Sequence, residues 1–138
     1  MAEYKVIDNF LPEDMFSYIN SELSSNMLPW KWLPTVAFED GETSNGYMAA
    51  LFYDRNIMHE SFQIFSGLIK KLEIKACIRV KMNLYTRTEN LIHHDDHIDY
   101  PFSHKGGLFS LNTCDGGTWI DNKKYDSIEN RLLYARYH

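Results

Sequence analysis

The hydrophobic period of this chain changes at Leu72, and that change limits what the chain can fold into more than any other feature. Ile57, Ser61, Phe65, Leu68 and Leu72 fall on one face at a spacing near 3.6, with Lys70 and Lys71 in the last turn, where cations suit a helix dipole. This predicts a helix over 57–72. Beyond it, Ala76, Ile78, Val80, Met82 and Leu84 alternate with Cys77, Arg79, Lys81, Asn83 and Tyr85. A two-residue period sustained from 75 to 85 predicts a strand. The rest of the chain keeps this character, with strands expected at 107–112, 118–120, 125–128 and 131–137. Turns at Asp115-Gly116-Gly117 and Asp121–Lys123 separate them. Several short strands with such punctuation are the pattern of a sandwich or barrel.

The first half reads as support. Residues 4–10 read as a short strand, and Pro12 followed by Glu13 and Asp14 supplies the proline and first-turn acids that start a helix. Met15, Phe16, Ile19 and Leu23 give that helix one apolar stripe. Residues 26–50 carry Pro29, Trp30, Trp32, Pro34 and a Gly/Ser/Asn-rich segment, which predicts short extended pieces joined by turns. Trp30 and Trp32 are expected as core or rim anchors. At 138 residues, with 44% hydrophobic and 24% charged residues, the chain can bury a core of its own, and one domain over 1–138 is the expectation. Residues 1–74 would be its support and 75–138 its β core.

Charge and cysteine content exclude several classes. A formal net charge of -5 without a dense Lys/Arg run argues against a nucleic-acid grip, which rests on clustered cations. Cys77 and Cys114 are too few for a disulfide framework and have no C-x-x-C spacing, so both are expected as buried thiols. No run of 18 apolar residues and no leader-like start is present, so no membrane contact and a cytoplasmic location are expected.

The chemistry concentrates at Ile92–Asp99, where His93, His94, Asp95, Asp96, His97 and Asp99 crowd together. Residues i and i+2 of a strand share a face, so His93 with Asp95, His94 with Asp96, or His97 with Asp99 could each present an imidazole beside a carboxylate. Two such ligands and a second His make the facial triad of non-haem Fe(II), with positions left open for substrate and dioxygen. Carboxylates about 6–7 Å apart at an effective dielectric near 20 repel by roughly 2–3 kcal/mol. The cluster therefore holds a cation or stays largely in water. A solvated loop is the competing reading, and spacing leaves all three pairs open.

The order of further motifs narrows this. Arg79 through Asn83-Leu84-Tyr85 precedes His97-Ile98-Asp99, followed by Leu111-Asn112, then Asp115-Gly116-Gly117-Thr118, then Glu129-Asn130-Arg131-Leu132-Leu133. In this order the chain resembles the Fe(II)- and 2-oxoglutarate-dependent oxygenases, in the prolyl-hydroxylase-like branch with its phage-encoded relatives. The resemblance covers roughly residues 75 to 134. It implies a double-stranded β-helix of jelly-roll or cupin-like type, with N-terminal helices in front. It also implies a dioxygenase that hydroxylates a C–H bond, with a peptidyl-prolyl or other peptide or protein substrate in view. Fe(II), 2-oxoglutarate and dioxygen are the implied cofactor and co-substrates, with ascorbate as an accessory. It selects His97 and Asp99 as metal ligands, with His94 and Asp96 the competing pair and Tyr100–His104 the loop that follows. Tyr85 matches a tyrosine that reaches 2-oxoglutarate, with Asn83 and Asn112 as further candidate contacts.

Departures from the family's pattern lie toward the C-terminus. The family carries a distal His after a longer turn than Leu133–Tyr137 provides, then a strand whose Arg or Lys pairs with the far carboxylate of 2-oxoglutarate. Here the candidate third ligand is His138, and Ser110 stands where a tyrosine is frequent. The expectation is a β-helix lacking its last strands, an open barrel completed by an oligomer contact or a partner strand. Two other readings follow: a non-catalytic jelly-roll binding module with a structural metal, or a truncated, inactive oxygenase fragment. A zinc hydrolase would need an H-E-x-x-H helix, and none is present.

Overall fold

The computed structural model describes residues 2–34, 46–86 and 100–137. The chain is mainly β, with 41% strand against 23% helix. Two compact units divide it: Met1–Asn20 with Ile98–His138, and Ser21–His97. Among the described residues the strands form three sheets, none of them closed.

The first unit is built on strand β8 (Arg131–Tyr137), which lies between β1 (Ala2–Ile7) and β5 (His104–Ser110), antiparallel to both. Leu132, Leu133 and Ala135 of β8 are buried. The central strand is thus the one most withdrawn from water, as its apolar run requires. Strand β1 is shorter than the expected 4–10, because Asn9 takes a left-handed conformation (φ 51°) and turns the chain out of the sheet. Helix α1 (Glu13–Ser25) then starts just behind Pro12, with Glu13 and Asp14 in its first turn. Its Phe16 meets Phe109 of β5 edge to face at 5.9 Å, and Phe10 meets the same ring at 6.5 Å.

Asn130 fastens this unit. It is buried and left-handed (φ 63°), a conformation that Asn tolerates better than most residues. All its polar groups are engaged. Its side-chain oxygen accepts from the Leu11 N–H at 2.9 Å, its amide nitrogen donates to the Leu11 carbonyl at 2.8 Å, its own carbonyl accepts from the Phe10 N–H, and its N–H donates to the Ser110 carbonyl. One side chain thereby satisfies the backbone where β1 hands over to α1. Beside it, Arg131 grips Asp8 with two nitrogens, at 2.6 and 3.1 Å, and donates to the Asp126 carbonyl.

Strands β6 (Gly117–Ile120) and β7 (Lys123–Asp126) make a hairpin. Asp121 and Asn122 both have positive φ, 48° and 65°, the two-residue turn that suits strand twist. The loop from β5 to β6 is stitched to the segment after β7: Ser127 donates its hydroxyl to the Asn112 carbonyl and its N–H to the Gly116 carbonyl, and the Glu129 N–H reaches the Thr113 hydroxyl. Cys114 in this loop is exposed, against the expected buried thiol, since the loop's own backbone bonds fix it at the surface.

The second unit contains a sheet of order β2-β3-β4, formed by Trp30–Leu33, Tyr47–Asp54 and Arg79–Leu84. Its central strand β3 lies where sequence patterning predicts only short extended pieces and turns. The run Tyr47–Tyr53 is almost continuously apolar and does not alternate, because a bulge shifts the register between Leu51 and Tyr53. Phe52, at the bulge, is 0% exposed and packs against Phe65 at 4.8 Å. The expected strand 75–85 is shortened to 79–84, and the expected helix 57–72 becomes a 3-10 segment (Glu60–Phe65) followed by α2 (Ser66–Lys71). The His59 ring caps the 3-10 segment by accepting the Ser61 N–H. Ser61, Ser66 and Gly67 supply weak helix propensity there, so a single long helix does not form. Cys77, half-buried just before β4, has its thiol pushed up by desolvation.

Candidate functional site

The metal ligands expected from sequence, His97, Asp99 and His138, lie outside the described residues, as do His93, His94, Asp95 and Asp96. Among the described residues no group of three or more His, Cys, Asp or Glu side chains could hold a metal ion.

Two of the expected co-substrate contacts do come together. Directly opposed residues of antiparallel strands share a face. Asn83 stands opposite Ala49, Lys81 opposite Leu51, and Leu33 opposite Tyr47. Tyr85 follows β4 at the next position on that face, half exposed. Its ring stacks on Tyr47 with centroids 5.0 Å apart and 15° between planes. Tyr47 is itself buried, and its phenol oxygen accepts a hydrogen bond from the Lys81 ammonium at 3.3 Å. The same ammonium lies 5.6 Å from the Tyr47 ring centroid. Lys31 of β2, opposite Ala49, adds a second cation to this face.

The grouping follows from strand parity. Lys81, Asn83 and Tyr85 are at i, i+2 and i+4, so the alternation that predicts β4 also predicts their shared face. Tyr47 is different, because only the register between β3 and β4 reveals it as their neighbour. Among the described residues no carboxylate lies within ion-pair distance of Lys81. The face therefore offers a cation, phenols and an amide, donors that suit a carboxylate.

Asn112, the third expected contact, lies in the other unit, exposed in the turn after β5. Its carbonyl accepts from the Ser127 hydroxyl, which gives this backbone a part in holding the loop. The Glu129–Leu133 motif also has a structural use: Asn130 and Arg131 fasten the β1–α1 junction, and Leu132 and Leu133 fill the core.

The segment after the His/Asp stretch forms an aromatic group. Tyr100 and Phe102 stack at 5.1 Å, and the His104 ring meets both edge to face at 5.4 and 5.9 Å. His104 Nδ1 lies 2.8 Å from the Phe102 carbonyl. A carbonyl only accepts, so Nδ1 carries a hydrogen there. Sequence reading treats 100–104 as loop, yet His104 opens strand β5, opposite Tyr137.

A shallow, mostly apolar groove runs beside α2, lined by Phe62, Ser66, Ile69, Lys70, Glu73 and Ile74. Among the described residues no helix is long and apolar enough to cross a membrane. No family model matches the chain, and no curated protein or solved structure matches it either.

Proposed function

We propose that this protein is a non-haem Fe(II)- and 2-oxoglutarate-dependent dioxygenase that hydroxylates a C–H bond of a peptide or protein. The observation that carries the reading is the sheet face on which Tyr85 and Asn83 stand with Tyr47 and Lys81. Those donors fit the carboxylates of 2-oxoglutarate. The ordered motifs from Arg79 to Leu133 support the same family, and with it a double-stranded β-helix in a single domain.

Histidine and aspartate at His97 and Asp99 have the donor chemistry for Fe(II), with His138 as the candidate third ligand. Iron, when bound with 2-oxoglutarate, supplies the power to oxidise an unactivated C–H bond with dioxygen. The chain's residues have humbler tasks. The Tyr47–Tyr85 stack holds one phenol against another, which fixes the Tyr85 ring for contact with a ligand lying over the sheet. Asn83 adds an amide on the same face.

Anaerobic titration of the chain with Fe(II) and 2-oxoglutarate tests the proposal. The expected result is the weak visible charge-transfer band of the chelate, and its absence from correctly folded protein would favour a non-catalytic binding module.

A further inference from the structure

Helix α2 ends in a closure that leaves apolar side chains in the open. The Glu73 N–H donates to the Lys70 carbonyl at 3.0 Å, and the Ile74 N–H donates to the Ile69 carbonyl at 3.3 Å. Such a pair of bonds closes a helix when the residue beyond its end turns left-handed, and here that residue is Glu73 (φ 55°). Glycine usually holds this position, because a side chain strains the backbone there. The closure brings Ile74 back to Ile69, and both line the groove beside α2.

The groove has a volume of about 640 Å³ and lies wholly within the second unit. Phe62, Ile69 and Ile74 give it an apolar lining, and the Phe62 ring lies 5.0 Å from that of Tyr53 on β3, which fixes its place. No residue of α2 is buried, and Ile74 is 39% exposed. Water therefore covers apolar area that a partner would take up with a gain in free energy. Lys70, Glu73 and Lys75 complete the lining. Between Ser66 and Lys75 three lysines stand against one glutamate, in a chain whose formal net charge is -5. Among the described residues no ion pair involves Lys70 or Lys75. The carbonyls of Leu68, Ile69 and Lys70 are taken by the closing bonds, so this helix end presents ammonium groups and not bare carbonyl oxygens.

Shape and charge select the occupant. A small-molecule site encloses most of its ligand, which a shallow groove does not. A phosphate backbone is matched by clustered cations, not by an apolar floor. A membrane surface is met by protruding apolar side chains, whereas a groove receives them. We propose that this groove binds an acidic peptide segment of a partner protein, its apolar side chains entering between Phe62, Ile69 and Ile74 and its carboxylates meeting Lys70 and Lys75. Glu73 lies between these lysines in sequence and repels a carboxylate placed beside it. The ligand's acids therefore flank its apolar residues and do not form an unbroken run. The groove does not rest on the oxygenase reading, under which the peptide would belong to the protein substrate.

The full chain is titrated by fluorescence polarisation with a short labelled peptide that has leucines on one face and glutamates on the other. Two variants of the peptide, one with lysine for glutamate and one with serine for leucine, serve as comparisons. Only the first is expected to bind, and more weakly as salt rises. Lys70→Gln/Lys75→Gln should weaken it by roughly three- to tenfold, the scale of two exposed ion pairs. Ile74→Ser should weaken it by roughly tenfold through lost apolar contact. Glu73→Gln should tighten it, a change that a merely structural Glu73 would not produce, and Lys105→Gln on β5 should change nothing. Far-UV circular dichroism and a melting curve establish that each variant folds. If the lysine variant does not fold, backbone amide shifts of wild-type protein during the peptide titration decide, with Ile69 and Ile74 expected among the residues that move. No binding of the acidic peptide, equal binding of either comparison peptide, unchanged affinity in the folded lysine variant, shifts confined to other residues, or a dimer in sedimentation that Ile74→Ser dissolves would each overturn the inference. Peptide binding without an iron charge-transfer band would leave the inference standing and sink the oxygenase reading alone.

Discussion

Asn130 shows how much a single side chain can be asked to do. It holds a left-handed backbone and gives Leu11 both a donor and an acceptor. Asn130→Ala leaves two backbone groups of Leu11 without their partner and keeps the backbone strain. A loss of roughly 2–5 kcal/mol in urea denaturation is expected. Asn130→Gly loses the same bonds and relieves the strain, so it should be less harmful by about 1 kcal/mol. Arg131 makes a prediction of another kind. Its hydrogen bond holds the Asp8 carboxyl below the ordinary value of 3.8, while the guanidinium stays charged throughout. A lowered folded-state value means that the pair's contribution is complete above 3.8 and is lost as the pH falls through the lower, folded value. Acid unfolding of wild type should therefore show a stability loss below pH 3.8 that Asp8→Asn lacks, measured as the difference between their urea midpoints at each pH.

At the scale of elements, legibility followed periodicity. Helix α1 and strand β8 were readable because Pro12, the Met15–Leu23 stripe and the Arg131–Tyr137 run each carry one clear signal. Strand β3 was not, for a bulge removes the alternation by which a strand is recognised, and its run of apolar residues suits helix and strand alike. That hidden strand is the centre of its sheet. Phe52→Ala should cost about 3–5 kcal/mol in equilibrium unfolding, the usual range for emptying a buried aromatic site. Strand β4 was legible and was also half of the candidate site, since Lys81, Asn83 and Tyr85 come with its parity. Tyr47 could not be foreseen, because no local pattern reports which residue of a distant strand will stand alongside.

For the whole molecule, the reading as one domain makes a measurable demand. Trp30 and Trp32 belong to one compact unit and Trp119 to the other. A Trp119→Phe variant and a Trp30→Phe/Trp32→Phe variant would therefore report the two units separately by fluorescence. One cooperative domain should give coincident denaturant midpoints, with separate midpoints the outcome that defeats it. Sheet order has a further consequence for how the protein comes into being. The central strand of the first unit is β8, and its partner β1 is made early, as is Leu11, which waits for Asn130, just before β8, across 119 positions. At roughly 5–20 residues per second, a ribosome needs roughly 6–24 s to supply that partner. Through that interval β1 has no strand to join, and the nascent chain must carry it unpaired until nearly all of the described sequence has been made.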